Sequence, residues 1–135
     1  MNQDTARMLA QLQSAGISWH DACALRRISM TLHRWHELEC GVEHGCIERE
    51  GDDCTGRPFW SSSYGHNSTI RRAYIPDREA GALKRLRAIM AKYAPLAYYI
   101  QGDPRGAALY IIRPGDVPDG QAVDAYYSRG LAVYK

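Results

Sequence analysis

Leu32–Gly41, Leu-His-Arg-Trp-His-Glu-Leu-Glu-Cys-Gly, gathers groups able to do chemistry more tightly than any other stretch of the chain. It holds two imidazoles, two carboxylates and a thiol, and its periodicity predicts the end of a helix. At about 100° per residue, Ser29, His33, His36 and Cys40 fall in one narrow stripe. His33 and His36, three positions apart, could reach a single metal ion, with Cys40 one turn further on. His44, Cys46 and Cys54 follow and could complete the four sulfur and nitrogen donors that zinc favours. The metal set read from the sequence is therefore His33, His36, Cys40 and Cys46. The spacing contains no Cys-x-x-Cys pair and no His-Glu-x-x-His. The same residues also fit two other roles: structural boundary positions whose imidazoles bond to neighbouring backbone or to Glu37 and Glu39, and an edge of a binding surface.

Thiol catalysis is disfavoured here. Cys40 has His36 one turn away, but it lies at a helix C-terminus, where the dipole opposes a thiolate. Glu37 and Glu39 point about 200° apart on a helix, which makes them a poor acid and base pair. With no coherent catalytic constellation elsewhere, the chain reads as a protein that binds rather than catalyses, with a zinc- or thiol-dependent enzyme built on His33, His36 and Cys40 as a further alternative. No resident cofactor is expected, unless the metal set takes up zinc.

Two further groups could bind ligands. Gly102-Asp-Pro-Arg-Gly106 could offer backbone amides and the Arg105 guanidinium to a phosphate or carboxylate, or it is simply a hairpin turn. Arg71 and Arg72 precede a predicted helix on which Arg78, Arg85 and Lys92 recur every seven residues, with Lys84 and Arg87 alongside. Such a face could track a phosphate backbone; Asp77 and Glu79 dilute it. The overall charge gives this little support: 17 basic and 15 acidic residues leave a net of +2, too balanced to mark a nucleic-acid protein. The same balance speaks against a strongly acidic DNA mimic.

These residues need elements to position them. The 135 residues, 45% hydrophobic and 24% charged, suit one domain spanning 1–135, with residues 1–4 as a flexible start. A first helix is predicted over about Asp4–Ser14, ended by Gly16. A second runs from Trp19 to Cys40, capped by Ser18 with Asp21 at its third position. Leu25, Ile28, Leu32 and Trp35 form its core face. Cys46–Glu50 and Pro58–Ser62 read as a hairpin, and the polar Ser61–Ser68 as an exposed loop. Asp77 caps a third helix that ends near Tyr93, before Pro95. Leu96–Gln101 and Ala107–Arg113 read as a second hairpin, and a loop from Pro114 to about Tyr127 leads to a last strand, Gly130–Tyr134. The expected order is α-α-β-β-α-β-β-β. That is an α+β fold: an antiparallel sheet of about four to five strands with three helices on one face.

The N-terminus has no basic stretch followed by an apolar run, and no segment is apolar enough to span a membrane. A cytoplasmic location is expected, with Cys23, Cys40, Cys46 and Cys54 as thiols or metal ligands. Nine tyrosines stand against one phenylalanine, most of them from Tyr93 onward. That composition suits sheet packing or a contact surface.

Taken together, Leu-His-Arg-Trp-His-Glu-Leu-Glu-Cys-Gly (32–41), Ile-Pro-Asp-Arg-Glu-Ala-Gly-Ala-Leu (75–83) and Gly-Asp-Pro-Arg-Gly-Ala-Ala-Leu-Tyr (102–110) resemble a family of small proteins of tailed phages and prophages of proteobacteria. Arg-Pro-Gly-Asp-Val-Pro (113–118) and Ala-Tyr-Tyr-Ser-Arg-Gly (125–130) fit it too, so the resemblance extends from about Trp19 onward. It carries over no functional residue. It implies an accessory protein in the cytoplasm of a bacterial host that acts by binding a host protein or protein complex, a defence system such as CRISPR included. Nucleic acid is the alternative partner, and a homodimer is compatible. The binding residues expected from the residue patterns themselves are His33, His36, Arg71, Arg72, Arg78, Arg85, Arg105, Tyr126 and Tyr127.

Overall fold

The structure, a computed structural model, describes residues 2–35, 47–52, 54–55, 58–64, 69–74, 77–103 and 106–133. Along the chain run α1 (Gln3–Ser14), α2 (Trp19–Trp35), β1 (Ile47–Asp52), β2 (Pro58–Tyr64), β3 (Thr69–Tyr74), α3 (Asp77–Ala91), β4 (Ala97–Asp103), β5 (Gly106–Ile112), α4 (Val123–Tyr126) and β6 (Leu131–Val133). The fold is α+β, as expected. Among the described residues, no helix is long and apolar enough to cross a membrane.

Local chemistry sets the first two helices. Asn2 caps α1 by accepting from the Thr5 amide at 2.7 Å. The helix closes in a Schellman motif: the Ile17 amide donates to Leu12 O (3.1 Å) and the Gly16 amide to Gln13 O (2.9 Å). Gly16 sits at φ +100°, where a residue with a Cβ would be strained. Leu12 and Ile17, the two apolar ends of that motif, are both buried in the core. Ser18 caps α2 as the sequence predicts, its hydroxyl accepting from the Asp21 amide at 3.2 Å.

Strand count and order differ from expectation. Among the described residues there are, instead of one sheet, two three-stranded antiparallel sheets, ordered β1-β2-β3 and β4-β5-β6. β1 lies against β4 where they meet. The unexpected strand is β3. Ser61–Tyr64 belongs to β2 and pairs with Thr69–Arg72, where the sequence suggests a loop. Polar composition misled there: an antiparallel strand needs backbone pairing, and one with a solvated face does not need an apolar side chain at every position.

In the second sheet the register runs from Ala97↔Ile112 to Asp103↔Gly106. Strand alternation sorts this sheet's positions. Ile100, Leu109, Ile111, Leu131 and Val133 join the core with Leu25, Ile28 and Leu32 of α2 and Leu83 and Leu86 of α3. Ser29, 3% exposed, fastens α2 to this sheet: its hydroxyl donates to Val133 O at 2.7 Å, across 104 residues of sequence.

Tyr99, Tyr110 and Ile112 take the opposite face. Helices were expected on one face only. Here the segment from Pro114 to Gly130, which contains α4 and a 3₁₀ turn (Tyr127–Arg129), covers the other. It lands so closely that a Cβ on Gly130 would come within 2.7 Å of both Ile111 O and Ile112 Cδ1. The Ile111 carbonyl belongs to the sheet and cannot easily move. Gly130→Ala is therefore expected to destabilise the protein by about 1–3 kcal/mol through overpacking, read as a lowered denaturation midpoint.

Candidate binding surface

The layer over the tyrosine face is built by two turns. Arg113-Pro-Gly-Asp116 closes through the Asp116 amide to Arg113 O at 3.0 Å. Proline at the second position and Gly115 at φ +93° in the third are the residues that a type II turn selects. Asp116 then returns the favour: its carboxylate accepts from the Arg113 amide at 2.7 Å and from Nε at 3.0 Å and Nη2 at 3.1 Å. Burial opposes the Asp116 charge, but the side-chain and backbone bonds from Arg113 outweigh it and hold the carboxyl below its usual range. Arg113 Nη2 also donates to Arg129 O at 3.3 Å. One guanidinium thus ties the start of the covering segment to its end.

Tyr127 is the keystone of that segment. Its ring stacks on Tyr99 (centroids 5.0 Å apart, 20° between planes) and meets Tyr110 edge-on at 5.0 Å and 71°. Such geometries suit the aromatic quadrupole. Tyr99 and Tyr110 are cross-strand partners in the β4–β5 register, so the sheet spaces the two rings for it. Arg129 is left at the outer surface, beside Tyr126. The exposed Arg129 guanidinium lies 4.7 Å from the centre of the half-buried Tyr126 ring. Val123, 38% exposed, sits one turn before.

A second polar assembly joins α2 to the end of α3. The Asp21 carboxylate, nearly enclosed, accepts from Lys92 Nζ at 2.7 Å and from the Tyr93 hydroxyl. The Ser18 amide donates to Tyr93 Oη at 3.2 Å. In an ordinary capping box the acidic residue at the third position would accept that amide. Here Asp21 faces α3 instead, and the tyrosine takes its place. The bonds from Lys92 and then Tyr93 hold the Asp21 carboxyl below its usual range against the cost of burial. Asp21 in turn raises the Lys92 ammonium.

The sequence-predicted residues are scattered over this frame. Tyr126 and Tyr127 lie together in the covering segment, the one beside Arg129, the other stacked on Tyr99. Arg85 is exposed on α3. Arg78 belongs to the same helix, but Lys92, the third member of that seven-residue series, is bonded to Asp21. Arg71 and Arg72 occupy β3, opposite Ser62 and Ser61. His33 lies in the last turn of α2, one turn beyond Ser29. His36, Cys40, Cys46 and Arg105 fall outside the described residues, as does the expected continuation of α2 to Cys40. Among the described residues, no group of three or more His, Cys, Asp or Glu side chains could hold a metal ion.

Sequence reasoning missed Tyr99, Arg113, Asp116 and Arg129 as working parts of this surface. The signal was present: Pro-Gly flanked by arginine and aspartate spells a turn with an ion pair across it. No known protein family, curated protein or solved structure matches the chain.

The Asp21 joint has a pH signature. A depressed carboxyl contributes stability that is intact above its ordinary value of 3.8 and is lost as pH falls through the lower folded-state value. A raised ammonium contributes stability that is intact below 10.5 and is lost as pH climbs through the higher folded-state value. Asp21→Asn should therefore flatten the acid limb of a melting-temperature profile, and Lys92→Met the alkaline limb. Profiles parallel to that of the unmodified protein would contradict the joint.

Proposed function

We propose that this protein acts by binding a macromolecule through the Tyr126–Arg129 surface, as a phage or prophage accessory protein that engages a host protein complex. A host defence assembly such as a CRISPR effector is the target class in view. The observation that carries the binding surface is the Arg129 guanidinium over the Tyr126 ring, held at the outer side of a segment braced by Arg113 and keyed by Tyr127. Tyrosine and arginine dominate the energetics of protein interfaces. A stacked guanidinium is also pre-oriented, so it gives up less freedom when it meets a partner.

A nucleic-acid partner is the second reading. It is favoured by Lys84 and Arg85, both exposed on α3, and it would show affinity that falls steeply with salt. The engagement of Lys92 by Asp21 shortens the basic track available to it.

The test is capture from host lysate with tagged protein, followed by titration of whatever partner is recovered. Tyr126→Ala and Arg129→Ala should each weaken that partner by about tenfold or more. Their cost to folding should be small, about 0.5–2 kcal/mol for a half-exposed cation–π pair. Recovery of no specific partner, or full affinity in both variants, would contradict the proposal.

A further inference from the structure

The outer face of α2 carries a feature that the Tyr126–Arg129 surface does not use, although one of its members, Cys23, also packs against the core. With Trp19 as origin, Cys23, Arg26 and Met30 lie within about 40° of it around the helix axis. Their spacing, four, three and four residues, is that of one side of a helix packed along another helix. The buried arc of α2, which holds Ala22, Leu25, Ile28 and Leu32, is elsewhere on the cylinder. Trp19 is 46% exposed and Met30 39% exposed, two of the three large hydrophobic side chains left open among the described residues. Tryptophan is the commonest interface anchor, and methionine adapts its shape to a partner.

Among the described residues of α2, the charge beside this stripe is basic. Arg27 is exposed on its flank, and Arg26 lies within it. The only carboxylate in α2 is Asp21, and Lys92 and Tyr93 of the neighbouring helix end already occupy it. On α1, the exposed Asp4 is matched by the exposed Arg7 one turn on. Guanidinium forks such as those of Arg26 and Arg27 pair readily with carboxylates.

We infer that the Trp19–Cys23–Arg26–Met30 stripe is a docking site for an acidic amphipathic helix of a partner protein. Apolar side chains of that helix would cover Trp19 and Met30, and its carboxylates would meet Arg26 and Arg27. A second copy of this chain is disfavoured, because it would set arginines against arginines. Duplex nucleic acid would match the charge but leave the apolar stripe uncovered. The stripe lies on the helical side of the β4-β5-β6 sheet, away from the Tyr126–Arg129 layer, and the inference does not rest on that surface.

A display library of random peptides, selected against the intact protein, tests it. The enriched peptides should place apolar residues at helical spacing between Asp or Glu, and should lose about tenfold or more in affinity for Trp19→Ala, Met30→Ala and Arg27→Glu. Trp19, Arg27 and Met30 are exposed, so melting of the variants should stay close to that of the parent and separate a binding defect from misfolding. Three results would overturn the inference: no enrichment, enrichment of neutral or basic peptides, or equal affinity for the variants. Phosphatidylglycerol vesicles and duplex DNA serve as parallel probes. If either binds the parent more tightly than the enriched peptides do, and loses that binding in Trp19→Ala, the stripe belongs to that ligand instead.

Discussion

One constraint organises the described fold: α2 must bury a single arc of its surface against α3 and against the β4-β5-β6 sheet together. Leu25, Ile28 and Leu32 supply the apolar drive for that burial. Burial alone does not fix a helix along its axis or about it. Two polar contacts do. At its start, Asp21 reaches the end of α3 through Lys92 and Tyr93. In its middle, the Ser29 hydroxyl meets the Val133 carbonyl of β6. Both groups are nearly enclosed, so displacement of the helix would strand a charge or a hydroxyl away from water.

The outer surfaces follow from that placement. With one arc buried, the opposite side of α2 must face outward, and it carries Trp19 and Met30. With β6 held by Ser29, the last strand pairs with β5 at Leu109↔Val133 and Ile111↔Leu131. That pairing fixes where the covering segment must end, and Gly130 is the residue that lets it approach. Tyr127 is then brought onto Tyr99 and Tyr110, leaving Arg129 outside, beside Tyr126. The two candidate binding faces thus sit on opposite sides of one sheet.

Where local rules decide the outcome, the sequence was legible. Gly16, the Ser18 cap, the starts of α1 and α2 and both hairpins follow from caps, turns and periodicity within a few residues. The apolar face of α2 was readable for the same reason. What escaped was decided by contacts far apart in sequence. Nothing local says that Ser61–Tyr64 and Thr69–Tyr74 are strands, because their pairing with each other holds them. Nothing local says that Asp21 belongs to Lys92 and not to a capping box, or that Tyr127 stacks on the sheet's tyrosines while its neighbour Tyr126 meets Arg129. The Leu32–Gly41 cluster drew attention by composition. Its one-turn predecessor on the same stripe, Ser29, proved to be a tether between a helix and a strand.

That tether is also the most direct point of test. Amide hydrogen exchange and denaturant unfolding of Ser29→Ala examine it together. The expected result is a loss of about 1–3 kcal/mol, the cost of leaving the buried Val133 carbonyl unpaired, with protection falling in α2 and β6 jointly. An unchanged midpoint, or faster exchange confined to α2 with β6 unaffected, would contradict the placement of α2 from which both surfaces are argued.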